Sequence, residues 1–123
     1  MLILFIEYHD AFRQAASYLM DREDDLEVVS QAGSVAEGRG KMAEGGIDTA
    51  IVDIPLPDDG ASELVRELHE ANPSFPVLVM TGIEECEVHE EFLDAGASEV
   101  LMFDKEVGFA EILAAVRRLG GEE

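Results

Sequence analysis

Tryptophan is absent from this chain and cysteine occurs once, at Cys86, so no disulfide can close within it. A reducing compartment is the simplest setting for such a sequence. Cys86 itself lies in EECEVHEE, where the surrounding acids make it a poor nucleophile. No apolar run approaches the roughly 20 residues of a membrane span. The opening MLILFIEYH has neither the basic flank nor the small-residue cleavage site of a signal peptide. These absences lead to the expectation of a soluble, cytoplasmic chain with no membrane partner. Positive charge is scarce as well. Only 8 Lys and Arg stand against 28 Asp and Glu, a formal net charge of −20. Such a surface repels phosphate backbones, which argues against direct nucleic-acid binding, and it attracts divalent cations to any acidic pocket.

Two other features carry little. GRGKM at 38–42 looks like part of a phosphate loop, but the earlier glycine falls on Val35 and Met42 is neither Ser nor Thr. His9, His69 and His89 show no i, i+4 spacing and no cysteine partner, so a zinc site is not indicated. His9 reads as a loop or cap residue, and Met20, Met42, Met80 and Met102 read as packing.

What the chain does contain is an alternation. Apolar runs at 2–6, 26–32, 47–52, 75–80 and 99–103 are separated by helix-like stretches. In the first of these, Phe12, Ala15, Ala16, Leu19 and Met20 share a face, with Asp10 placed to cap it. Ser34 and Glu37 form an S-x-x-E capping box ahead of a helix weakened by Gly38 and Gly40. ASELVRELHEA at 61–71 aligns Leu64, Val65 and Leu68. A helix near 84–95 turns Val88, Phe92 and Leu93 inward and stops at Gly96. The last helix carries Phe109, Ile112, Leu113, Val116 and Leu119. With 47% apolar residues and no repeat or linker, residues 1–123 read as one domain. Strands apolar at nearly every position are buried on both faces. The expected fold is therefore α/β, a doubly wound, flavodoxin-like sheet of five parallel strands in order 2-1-3-4-5 with five helices.

In that order the ligand crevice lies between strands one and three, beyond their carboxyl ends. Glu7 closes the first strand and Asp53 the third, so the two carboxylates should meet there. Two acids at one rim are costly unless a cation lies between them, and magnesium suits one or two carboxylates with a phosphoryl oxygen. The chemistry such a site supports is in-line phosphoryl transfer to a carboxylate. Thr81, ending strand four, would supply a hydroxyl, and Lys105, after strand five, a cation. A flavin-carrying protein of the same fold would need a phosphate-cradling loop where EYHDAF is bulky and acidic.

The segments LILFIEYHDAFR, LEVVSQAGS, IVDIPLPD, SFPVLVMTG, LDAGASEV and EILAAVRRL resemble the receiver domain of two-component response regulators, of the chemotaxis-regulator type, over nearly the whole chain. The histidine and the FR after the first strand are most similar to regulators with a helix-turn-helix DNA-binding output. The resemblance implies that Asp53 is the phosphoacceptor and Glu7 one acid of the Mg2+ pair. It implies that Pro55 offers its backbone carbonyl to the metal, Thr81 is the switch hydroxyl and Lys105 the conserved-type cation. It also implies a sensor histidine kinase as partner, an output domain outside this chain and a homodimer as one mode of assembly. On this reading the chain is a phosphoacceptor and regulatory domain rather than an enzyme. Three departures stand out. Tyr8 takes the place of the second acid. The lysine position falls on Phe103 when counted from Gly96-Ala97 and on Lys105 when counted back from the last helix. Val100 replaces the switch aromatic. A phosphorylation-independent pseudo-receiver, acting as an interaction module, is the alternative.

Overall fold

The computed structural model describes residues 1–103 and 108–120, so Lys105 lies outside the described residues. The elements alternate in chain order as β1 (Leu2–Ile6), α1 (Asp10–Asp21), β2 (Glu27–Ala32), α2 (Val35–Glu44), β3 (Thr49–Ile54), α3 (Ala61–Ala71), β4 (Val77–Thr81), α4 (Cys86–Ala95), β5 (Glu99–Met102) and α5 (Phe109–Leu119). The strands form one parallel sheet in the order β2-β1-β3-β4-β5, as the apolar runs predict. No helix among the described residues is long and apolar enough to cross a membrane.

The alternation of side chains along each strand feeds two cores. Leu4, Ile6, Val52, Val77 and Val79 face α2, α3 and α4. Ile3, Phe5, Ile51, Leu78 and Met80 face α1 and α5. The central strands are covered on both sides, which is why apolar residues dominate them, with Thr49, Asp53 and Thr81 near their ends. On the edge strand β5 the side chains are all half-buried, Met102 among them.

Several local details differ from the sequence expectations. β3 begins at Thr49 rather than at 47 and extends past Asp53, because the ladder continues with Asp53 opposite Met80 and Ile54 opposite Thr81. β4 begins at Val77, since Pro76 has no N–H for a ladder and serves only through its carbonyl, which accepts from the Thr49 hydroxyl at 2.8 Å. α1 is capped by His9, not Asp10; Asp10 is the first helical residue and pairs with Arg13 at 2.6 Å. α1 also packs through Phe12, Ala16 and Met20, an i, i+4, i+8 stripe, leaving Ala15 and Leu19 outside. In α4 the buried stripe is Val88, Phe92 and Ala95, and Leu93 is 48% exposed.

The capping of α2 is as expected and more elaborate. Ser34 Oγ accepts from the Glu37 N–H at 3.1 Å, and Glu37 Oε1 accepts in return from the Gly33 N–H at 2.7 Å. Asp58, from the loop after β3, accepts from the N–H groups of Val35 and Ala36 at 2.8 and 3.0 Å. Gly38, which weakens the helix by propensity, is what lets it approach the sheet: a Cβ there would stand 2.6 Å from Ile6 Cδ1. Gly96 ends α4 at φ +114°, where a side chain would be strained.

Candidate functional site

The register between β1 and β3 pairs Ile6 with Val52, so one step further the chain sets Glu7 beside Asp53. Both follow the alternation of Phe5 and Ile51, and both therefore stand on the α1 and α5 side of the sheet rim. The loop after β1 holds Glu7 in place through its backbone. Its N–H donates to the Ala32 carbonyl at 2.9 Å, and its own carbonyl accepts from Arg13 Nη1 at 2.7 Å. Arg13 also reaches Gln31 and Asp10, bracing this loop to β2.

The Glu7 side chain is buried, 4% exposed. One oxygen, Oε1, accepts from the His9 backbone N–H and from His9 Nδ1, both at 2.9 Å. The other, Oε2, is buried and accepts from no N–H of a described residue. Its side-chain neighbour is the carboxyl of Asp53. Burial, reinforced by Glu7, pushes the Asp53 carboxyl up to about 9. Burial pushes Glu7 upward as well, but hydrogen bonds from Asp53 and His9 outweigh it and hold Glu7 below its usual range. The two shifts run in opposite directions, so burial and the neighbouring acid favour the protonated form of Asp53 beside an ionised Glu7.

These features bear on whether a divalent cation suits the pair. A buried carboxylate oxygen that no N–H reaches, beside a second carboxyl kept neutral only by a proton, is a donor set that a hard cation satisfies. Among the described residues no three His, Cys, Asp or Glu side chains converge to hold a metal. Glu7 and Asp53 are the side chains that would hold such an ion, and Pro55 opens the loop that follows, where the Ile54–Pro55 bond is cis.

The remaining sequence candidates are placed as follows. Tyr8 is turned outward, 54% exposed, with its ring edge-on to His9 at 5.5 Å. Thr81 is fully buried at the end of β4, its Oγ1 accepting from the Ile83 N–H at 3.0 Å. By alternation it stands on the opposite face of the sheet from Asp53, one residue beyond Asp53's partner Met80. Phe103 follows β5 directly, its N–H bonded to the Thr81 carbonyl at 2.8 Å. Its ring packs on Phe12 at 5.7 Å, on the same face as the two acids. Beside the pair, an open cleft is lined by Tyr8, His9, Arg13, Ser34, Glu37 and Pro57, and neither Glu7 nor Asp53 lines it. Sequence reasoning missed the bonding of His9 to Glu7, the Arg13 brace and the Asp58 cap. An acid and a histidine at i, i+2 directly after a strand was the available signal for the first.

Comparison with known proteins agrees with this geometry. Residues 3–117 match the family described as response regulator receiver domain. The chain is 30% identical over 118 residues to the DNA-binding transcriptional activator DevR/DosR of Mycobacterium tuberculosis, covering 96% of this chain and 54% of that protein. It is 37% identical over 92 residues to the transcriptional regulatory protein CusR of Escherichia coli, covering 75% of this chain and 40% of the relative. The chain thus spans about half the length, or less, of these curated relatives. Among solved structures, a CheY-like receiver domain protein from Methanospirillum hungatei superposes with a TM-score of 0.85 at 26% identity, covering 98% of this chain and 94% of that one.

Proposed function

The chain belongs to the response regulator receiver domain family, and from that premise we propose that it receives a phosphoryl group from a sensor histidine kinase on Asp53. The observation that carries the reading is the meeting of Glu7 and Asp53 at the point where the strand order reverses. In the transfer, an Asp53 carboxylate oxygen attacks phosphorus, the phosphorus–nitrogen bond to the donor imidazole breaks, and the imidazole leaves with the bonding electrons and takes up a proton. Asp53 must be ionised to attack, so its proton has to leave first. Mg2+ held by Glu7, Asp53 and the Pro55 carbonyl would supply the positive charge that displaces this proton and offsets the phosphoryl oxygens. Glu7 orients and balances charge; Thr81, at the end of β4 and on the other face of the sheet, is the proposed switch hydroxyl. Lys105 is the proposed cation from the stretch after β5. The test is incubation with a small-molecule phosphodonor and magnesium, followed by intact mass. One phosphoryl addition, lost in Asp53→Asn, is the expected result; no addition under conditions that label an ordinary receiver overturns the reading.

A second reading has its own support. Tyr8 points to solvent where the family has an acid, and Phe103 fills the first position after β5 with an aromatic ring packed on Phe12. Such a site would act as a pseudo-receiver, signalling through protein contact without phosphorylation. Magnesium binding by the wild-type chain at millimolar concentration decides against it. In either form the domain is proposed to be regulatory and to work in the cytoplasm, with a homodimer as one mode of assembly. The curated relatives are described as a DNA-binding transcriptional activator and a transcriptional regulatory protein, which supports a DNA-binding output domain outside residues 1–123; its helix-turn-helix type is proposed from the resemblance of the segment after β1.

A further inference from the structure

We propose that His9 is the positioning residue of the acidic pair: by occupying one oxygen of Glu7 from two directions, it turns the other oxygen toward Asp53. The inference rests on the reading of Glu7 and Asp53 as the site's ligands, and it deepens that reading.

A glutamate just past the end of a strand has three side-chain torsions to settle, and a single backbone donor leaves the carboxylate free to rotate about its last bond. Here two donors from the same residue converge on Oε1, the backbone N–H and Nδ1, each at 2.9 Å. With Oε1 saturated, Oε2 is the carboxylate oxygen of Glu7 left for a cation, and it is the buried one that no N–H of a described residue reaches. The His9 ring is itself 75% exposed, so core packing does not set its orientation. What does is the bond to Glu7 and the edge-on ring of Tyr8 at 5.5 Å. Tyr8, standing at the position of a missing acid, thus props the imidazole that orders the acid that remains. The arrangement requires a proton on Nδ1, since a bare ring nitrogen would face a carboxylate oxygen. Arg13 serves a different purpose, because its guanidinium holds the Glu7 carbonyl rather than the carboxylate. Outer partners of this type typically change cation affinity by about tenfold or more.

The experiment compares wild type with His9→Ala, which deletes the ring donor, and His9→Asn, whose amide nitrogen takes the place of Nδ1. First, without metal, the ring 15N resonances and the Glu7 carboxyl 13C resonance are recorded. We expect a protonated Nδ1 in wild type, a displaced Glu7 carboxyl signal in His9→Ala, and its return in His9→Asn, with thermal midpoints alike in all three. Second, magnesium is titrated against the Asp53 amide, where His9→Ala should weaken binding about tenfold and His9→Asn should restore it. An unprotonated Nδ1, or a His9→Ala variant with wild-type carboxyl signal and wild-type magnesium midpoint, overturns the proposal. If wild type takes up no magnesium at tens of millimolar, the phosphorelay reading fails, while the metal-free spectra still decide the role of His9.

Discussion

At the amino-terminal end of the sheet, Asp25 and Glu23 share the guanidinium of Arg117, which reaches them from α5 at 2.8–2.9 Å. At the carboxyl end, Glu7 and Asp53 face each other, and among the described residues neither carboxyl pairs with a Lys or Arg. The first cluster is partly exposed, and its two carboxylates are balanced against one guanidinium: hydrogen bonding to Arg117 holds the Asp25 carboxyl down at about 2. The second is buried and unbalanced, with Asp53 held up at about 9 by burial and by Glu7. The same side-chain type is thus used to fasten the chain in one place and to keep an unmet demand for positive charge in the other. Charge that serves the fold is answered inside the fold; charge that serves function waits for something from outside.

The two ends therefore respond to pH in opposite directions. A carboxyl whose pKa is raised on folding favours the folded state below its unfolded value, and that advantage is lost as pH climbs from about 3.8 to about 9. A carboxyl whose pKa is lowered on folding helps above its unfolded value and loses its effect as pH falls from about 3.8 toward about 2. The largest effect should come from Asp53→Asn. Denaturation in urea should show wild-type stability declining between pH 4 and 9 by at most ~1.4 kcal/mol per unit, and the variant nearly level there. A level wild-type profile would erase the contrast. Next in size is Tyr8→Asp, which adds a carboxylate to the unbalanced end. Magnesium affinity should rise about tenfold, or ~1.4 kcal/mol, by titration calorimetry, and an unchanged affinity would place Tyr8 outside the site.

Ser17→Ala separates a waiting group from an idle one. Ser17 Oγ is the other buried side-chain atom without a partner among the described residues, and it stands on α1. Its removal should raise stability by about 1 kcal/mol in urea denaturation and leave magnesium affinity alone. The smallest effect belongs to Arg117→Met. Its partners lie at the surface, Asp25 exposed and Glu23 half-buried, so the thermal midpoint should drop slightly at low salt, and the difference should fade in high salt. A large, salt-independent loss would mean that the balanced end is buried after all.

Much of this was legible in the residues. Five apolar runs gave the strands, the S-x-x-E box gave the start of α2, and α3 runs over the residues its periodicity marks. The meeting of Glu7 and Asp53 followed from strand order alone. What escaped was decided by contacts between distant segments. Leu19 and Leu93 lie beside the buried stripes of their helices, and only the packing tells which side of a stripe turns in. Asp10 looked like a cap because the turn before α1 is shaped by His9 binding Glu7, a bond between side chains that periodicity does not register. Gly38 looked like a weakness in a helix until Ile6 was found against it. The standing of Lys105 falls outside the described residues, so the choice between it and Phe103 rests with the variants Lys105→Ala and Phe103→Lys.

Asp58 has a last consequence for what can happen at the rim. Both its oxygens are engaged by the opening amides of α2, the positive pole that would otherwise welcome an incoming anion. That berth is taken by the protein's own acid. A phosphoryl group arriving nearby would have to find its counter-charge elsewhere, and the loop that Asp58 tethers joins that rim to the start of α2.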